Sequence, residues 1–242
     1  MKNTNNQVVA RGNYKIILRH AMGWQRYASA RLQISVPSNP TFDPRTRSIL
    51  NWVMQNFNDV TLCLHDTIQR YNLMSIGLSP EDAYKKALND GDLWLKANVF
   101  SSDVFIDVVR WDSLLSHPRY PEVFQRVCAL YENNKEFSEA VDHDLNEFAQ
   151  RCLKRGEEFG SARLSLSRNF LLEEISGYVP LYQDSGAADI HPGMRMKAME
   201  LLSNGVGGFC FKDNLRIAVK TFDIEPSTRQ SDKSIKMEKC AA

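Results

Sequence analysis

The sequence predicts an α/β fold, a parallel sheet flanked by helices. Three observations predict it. Strand-like apolar runs alternate with amphipathic helical runs through the interior of the chain. The segments joining successive strands are of helical length, as parallel crossovers require. At 242 residues, 43% hydrophobic and 24% charged, the chain has enough apolar material to bury such a sheet in a single domain.

Residues 1–12 are polar and read as a flexible N-terminus; the segment from 226 to 242, "PSTRQSDKSIKMEKCAA", reads as a flexible tail. The folded domain is therefore expected over 13–225. "ARLQIS" (30–35) alternates and reads as a strand. "DPRTRSILNWVMQNF" (43–57) reads as a helix. Asp43 or Thr41 can cap it, Pro44 suits its first turn, and Ile49, Leu50, Val53, Met54 and Phe57 share a face. "DVTLCLHD" (59–66) is apolar for most of its length, as a buried strand is. The helix over 79–98 starts with Ser79 as N-cap, Pro80 at N1 and acids in the first turn. "DVFIDVVRWDSL" (103–114) reads as a strand leading into a turn. Amphipathic helices are expected over 120–134, 135–156 and 161–182. "GGFCFKD" and "LRIAVKTF" read as late strands.

Composition removes several classes of function. A net charge of +1 does not announce a nucleic-acid binder, though it permits a local basic patch. The sequence has no apolar run of membrane-spanning length and no signal-peptide core, so a cytoplasmic protein without membrane contact is expected. Cys63, Cys128, Cys152, Cys210 and Cys240 form no CxxC pair, which argues against zinc and disulfides and suits a reducing cytosol. The terminal "CAA" is one residue short of a prenylation box. The dinucleotide and P-loop glycine motifs are missing, and "NGVGGF" (204–209) precedes a strand instead of a helix. The five histidines are far apart in sequence, and "VDHD" spreads its polar groups around a helix, so no metal site is expected. There is no G-x-S-x-G elbow. "HAMG" (20–23) and "KSIKMEK" (233–239) superficially resemble class I synthetase ATP signatures. The first precedes the sheet, and the second lies in the tail.

In parallel sheets, sites form outside the carboxyl ends of the strands. Ser35 ends the first strand so read; His65 and Asp66 end the second. Ser35 begins "SVPSNPTFD", a loop stiffened by two prolines. It either opens a turn or is presented for chemistry. In "RNFLLEEISGY" the adjacent Glu173 and Glu174 diverge by about 100° on a helix. Glu174 lies one turn from Phe170, on a partly apolar face. It is either an exposed ion-pairing acid or a buried one that needs a cation. Lys85, Lys86 and Lys96 share a helix with Trp94 and could meet phosphates, but Asp90 and Asp92 dilute that charge.

Taken in order, roughly residues 30–220 resemble the cyclodipeptide synthases, enzymes that join two aminoacyl-tRNA-borne amino acids into a diketopiperazine. "ISVPSNPTFD" resembles that family's I-S-P-x-N-S-x-F-S once Val36 is taken as one inserted residue. Ser35, Pro37, Asn39 and Phe42 then match. "NFLLEE" resembles N-Y-x-L-x-E, with Glu174 on the family's glutamate and Phe170 in place of its tyrosine. The later V-x-x-Y-H strand is assigned to "GFCFKD", with Phe211 in the tyrosine position. These departures, with Ser and Glu kept, look most like the fungal branch that incorporates arginine.

The resemblance implies a Rossmann-like domain, similar to the class I aminoacyl-tRNA synthetase catalytic domain without its ATP site. It implies Ser35 as the acylated nucleophile and Glu174 as the group that binds the α-ammonium and carries protons. Asn39, Phe170 and Phe211 would line the substrate. Asp66 or Glu173 would pair with a substrate guanidinium. Lys85, Lys86 and Lys96 would hold the acceptor stem. The implied partners are aminoacyl-tRNAs, Arg-tRNA among them, with no DNA, metal or cofactor. The rival readings are a one-step aminoacyltransferase, a non-catalytic aminoacyl-tRNA binder, or an interaction module without chemistry.

Overall fold

A computed structural model describes residues 7–11, 14–19, 23–99, 106–184, 186–193, 195–211 and 215–221. The strands are β1 (Gln7–Arg11), β2 (Tyr14–Arg19), β3 (Ser29–Ser35), β4 (Asp59–His65), β5 (Asp107–Arg110), β6 (Ala188–Pro192) and β7 (Leu215–Thr221). They form one sheet in the order β1-β2-β7-β6-β3-β4-β5. The run from β7 to β5 is parallel, and β1 and β2 add an antiparallel edge beside β7.

Side-chain alternation along the strands divides the core in two. Leu32 and Ile34 of β3 and Leu62 and Leu64 of β4 point to one face. There they meet α1 (Pro44–Asn56) through Ile49, Leu50, Trp52 and Val53, and α3 (Pro80–Asn98) through Trp94 and Leu95. Cys63 points to the opposite face, under α5 (Tyr120–Asn133), α6 (Lys135–Lys154) and α7 (Ser161–Gln183). The short α2 (Arg70–Met74) and α4 (Trp111–Leu115) follow β4 and β5, and α8 (Lys197–Ser203) packs on α6.

Caps explain the sharp helix starts. Asp43, not Thr41, caps α1 by accepting from the N–H groups of Arg45 and Thr46. Ser79 accepts from Asp82 N at α3, and Asn134 accepts from Phe137 N at α6.

The structure corrects five expectations. Residues 7–11, read as part of a loose terminus, pair with β2 as β1. The described part of the segment 207–213 is not a strand: Val206–Gly208 is a 3₁₀ turn, 209–211 carry no regular structure, and 212–213 lie outside the described residues. Residues 111–114 belong to α4, not to the preceding strand. β6 was not expected. Nor is α7 an amphipathic surface helix. Every residue from Leu171 to Pro180 is buried, so its second half is packed on all sides. The tail at 226–242, Cys240, "KSIKMEK" and residues 20–22 of "HAMG" lie outside the described residues. No helix among the described residues is long and apolar enough to cross a membrane.

Helix α7 comes this close because Gly177 lacks a side chain. A Cβ there would lie 2.5 Å from Trp111 Cη2. Gly177→Ala is expected to displace the indole and cost about 1–3 kcal/mol, measurable by denaturant unfolding. An unchanged midpoint would mean that Trp111 has room to move.

Candidate active site

Ser35 is the last residue of β3 and stands opposite His65 in the parallel register. Its side chain is exposed. By alternation it shares with Arg31 and Gln33 the face that carries α7. The following Val36 turns the other way and is buried in the α1 core, which anchors the start of the loop. At the far end, Asn98 of α3 grips the loop twice. Its Oδ1 accepts from Asp43 N at 3.0 Å, and its Nδ2 donates to Thr41 O at 3.2 Å. The loop after the serine is therefore pinned at both ends, so Ser35 sits at a defined strand terminus.

Three adjoining cavities run from this loop along α7. The first, about 340 Å³, begins at Val36, Pro37 and Ser38 and reaches Asn72 and Phe148. The second, about 150 Å³, shares Asn72 and Phe148 and adds Phe170, Glu174 and Met196. The third, about 410 Å³, shares Glu174 and Met196 and ends at His191 and Arg195. Shared lining residues place the three in series as a trough: Glu174 lines the second and third, and the first begins at the residues that directly follow Ser35.

Glu174 is 8% exposed. Burial pushes its carboxyl up to about 7, the Asp144 carboxylate adds to the rise, and a hydrogen bond from Tyr178 opposes it. Tyr178 Oη is 3.1 Å from Glu174 Oε1. His65 is fully buried beside them, and burial, with His191 nearby, holds its pKa well below 6.5, so the ring is neutral. The site therefore offers an exposed hydroxyl and a carboxyl poised to change charge near neutrality. Among the described residues Ser35 Oγ makes no hydrogen bond to a histidine.

Other residues singled out from the sequence are placed as follows. Phe170 lines the trough beside Glu174. Asp66 is fully buried but engaged: Arg110 Nε donates to one oxygen at 2.5 Å, and the N–H groups of Thr67 and Trp111 donate to the other. Glu173 is engaged likewise. Tyr71 Oη and Trp111 Nε1 each donate to it at 2.8 Å, and Arg70 pairs with it. Neither carboxylate lines the trough. Phe211 packs 5.7 Å from the Tyr182 ring in an irregular segment. Asn39 and Lys96 meet in a separate surface groove with exposed Phe42 and Leu93. Lys85 and Lys86 each bond a carboxylate of their own helix, Glu81 and Asp90.

Among the described residues no group of three or more His, Cys, Asp or Glu is arranged to hold a metal ion. Sequence reasoning missed Tyr178 and His191. Tyr178 carries a weak signal, its position one turn beyond Glu174. His191 carries none, because "ADIHP" has no strand pattern.

The family model described as "Cyclodipeptide synthase" matches residues 21–187, more than half of the chain. The chain belongs to the cyclodipeptide synthase family. It is therefore an enzyme, an aminoacyltransferase of a family that draws its amino acids from aminoacyl-tRNA. No curated protein matches the sequence. Among solved structures, a cyclodipeptide synthase from Fluoribacter dumoffii is 22% identical, with a TM-score of 0.70 over 86% of this chain and 98% of that one. A Mycobacterium tuberculosis protein is 14% identical, with a TM-score of 0.67 over 92% of this chain and 99% of that one. It is described as demonstrating that cyclodipeptide synthetases are related to type I tRNA synthetases. A synthase from Candidatus Glomeribacter gigasporarum, bound to Phe-tRNAPhe, is 18% identical, with a TM-score of 0.53 over 87% of this chain and 93% of that one. At these identities the likeness is one of fold: the cyclodipeptide synthase sheet, related to the class I synthetase catalytic domain.

Proposed function

We propose that this cyclodipeptide synthase works through an acyl-serine on Ser35, and that arginine is one of the two amino acids it joins. The observation that carries the mechanism is an exposed strand-end serine followed directly by the residues that line the first cavity, with the buried, protonatable Glu174 lining the next two.

Ser35 Oγ attacks the ester carbonyl of the first aminoacyl-tRNA. The tRNA 3′ hydroxyl leaves and takes up the serine proton, so no histidine is needed at Oγ. The amine of the aminoacyl-serine then attacks the ester of the second aminoacyl-tRNA, whose 3′ hydroxyl leaves, to form a dipeptidyl-enzyme; the free amine of that dipeptide attacks the serine ester, which closes the ring and releases Ser35. Ionised Glu174 holds the first α-ammonium, and protonated Glu174 carries a proton in the later steps. The ester supplies the activation, so ATP has no role. Phe170 lies against the substrate, Asn39 shapes the loop, and Phe211 supports the stacked Tyr178 and Tyr182 rings from outside.

The arginine reading rests on the branch resemblance. Asp66 and Glu173 support it poorly as guanidinium ligands, since Arg110 and Arg70 already occupy them. Asp144 and Glu147, which line the far cavity with Glu174, Arg151 and Arg195, are the remaining acidic candidates for a cationic side chain. The test is mass spectrometry of products from purified enzyme with a set of charged tRNAs and no ATP. An arginine-containing diketopiperazine is expected. A linear aminoacyl adduct alone would favour one-step transfer, and product from free amino acids plus ATP without tRNA would remove the synthase reading.

For tRNA, the Lys85→Ala, Lys86→Ala, Lys96→Ala triple variant is expected to bind more weakly with a flatter salt dependence. Lys85 and Lys86 are engaged within α3, so Lys96→Ala alone should account for most of the change. One lost phosphate contact lowers the slope of log affinity against log salt by about 0.7–0.9. Identical slopes for parent and triple variant would place the acceptor stem elsewhere, with Arg151, Lys154 and Arg155 the next cluster to test.

A further inference from the structure

Beneath the trough, three polar atoms surround the Tyr178 hydroxyl. Its oxygen is 3.1 Å from Glu174 Oε1, 2.9 Å from His65 Nδ1 and 3.0 Å from His191 Nε2. Tyr178 and His65 are fully buried, so water does not compete for these contacts. On the far side of its ring, His65 Nε2 lies 2.9 Å from Gln33 Oε1, and Gln33 is buried as well.

An amide oxygen only accepts, so with Gln33 Oε1 turned toward the ring the contact favours the His65 proton on Nε2. In a neutral ring, Nδ1 is then an acceptor. Tyr178 has one proton to share among Glu174 Oε1, His65 Nδ1 and, where the His191 ring carries its proton on Nδ1, His191 Nε2. An ionised carboxylate wins against a neutral imidazole, because charge-assisted hydrogen bonds are roughly twice as strong. A protonated carboxyl does not.

We propose that Tyr178 is a positioning residue for Glu174: its phenol donates to the carboxylate while Glu174 is ionised and turns to His65 Nδ1 once Glu174 is protonated. Its purpose rests on the synthase reading above; its geometry does not. Glu174 gains a proton from an incoming ammonium and later returns it. Each time the phenol rotates, and no proton enters or leaves the Tyr178–His65–Gln33 set. The arrangement also supplies a phenolic hydroxyl, which Phe170 and Phe211, the two residues set against the family's tyrosines, do not carry.

Other charged groups also face Glu174. Asp144, Arg151, His143 and Glu147 come from α6, His191 from β6, and Arg195 from the segment after it. Asp144 accepts from the N–H groups of Lys197 and Ala198. The test must therefore separate the phenol from this background, and two substitutions of opposite sign do so.

The experiment is infrared difference spectroscopy of the full chain without tRNA. The protonated-carboxyl C=O band of Glu174 is assigned by its loss in Glu174→Gln and then titrated. The parent midpoint is expected near 7. Tyr178→Phe removes the donor to the carboxylate, and the midpoint should rise by about half a unit or more. Gln33→Leu removes the acceptor that holds the His65 proton on Nε2. The ring then favours Nδ1–H, donates to Tyr178 Oη and directs the phenolic proton to Glu174, so the midpoint should fall. Unmoved midpoints, or shifts of the same sign, overturn the proposal. If Tyr178→Phe does not fold, Gln33→Leu decides alone: a fall supports the proposal, and no change or a rise ends it. Because no substrate is used, failure of the synthase reading shows up separately, as absent diketopiperazine with both shifts intact.

Discussion

Ser35→Ala is expected to lower diketopiperazine formation by on the order of 10³-fold or more, because it removes the atom that carries both acyl intermediates. The fold should not notice. Ser35 is exposed and makes no side-chain hydrogen bond among the described residues, and exposed substitutions of this kind stay within about 0.5 kcal/mol. The loop after it is held by Val36 in the core and by Asn98, neither of which the change touches. Two measurements check the expectation, product yield by mass spectrometry and thermal unfolding. A third locates the label after incubation with labelled aminoacyl-tRNA and acid quench. Label on Ser38 instead of Ser35 would mean that Val36 is not the extra residue in the loop.

The elements that were legible in the sequence are those whose periodicity matches their surroundings. β3, β4, α1 and α3 each pack one regular face or run against the sheet, and Asp43, Ser79 and their prolines mark the helix starts. β6 was illegible for a physical reason. "ADIHP" is a strand only because β3 and β7 flank it; Asp189 and His191 are polar because they face other buried polar groups. α7 misled for a related reason: a helix enclosed on every side has no amphipathic stripe to read. At the site, Ser35 and Glu174 stood out from local pattern. Asp66 and Glu173 looked available because their partners, Arg110 and Arg70, lie 44 and 103 residues away in sequence. Sequence position shows a buried acid but not which internal cation has already reached it.

The contrast between the adjacent glutamates gives the second large effect. Glu174→Gln should reduce synthesis by about 10²–10³-fold, since an amide neither binds an ammonium by charge nor carries its proton. It should also change how stability responds to pH, and the sign depends on where the proton sits. The folded carboxyl is held up to about 7 against 4.5 when unfolded. Between those values the native state keeps a proton that the unfolded chain has lost. Stability linked to this group is thus fully present below about 4.5 and falls as pH rises through about 7. The loss is on the order of 3 kcal/mol at most. Gln cannot ionise, so Glu174→Gln should gain on the parent between pH 5 and pH 8 in urea unfolding. Glu173→Gln should do the reverse. It leaves Arg70 half-buried without its charge partner and weakens the acceptor for Tyr71 and Trp111. About 3 kcal/mol of stability should be lost, while activity per folded molecule falls far less than in Glu174→Gln. Equal activity losses in the two folded variants, or a Glu174→Gln protein whose stability tracks the parent across that pH range, would mean that Glu174 is not the ionising group at the trough.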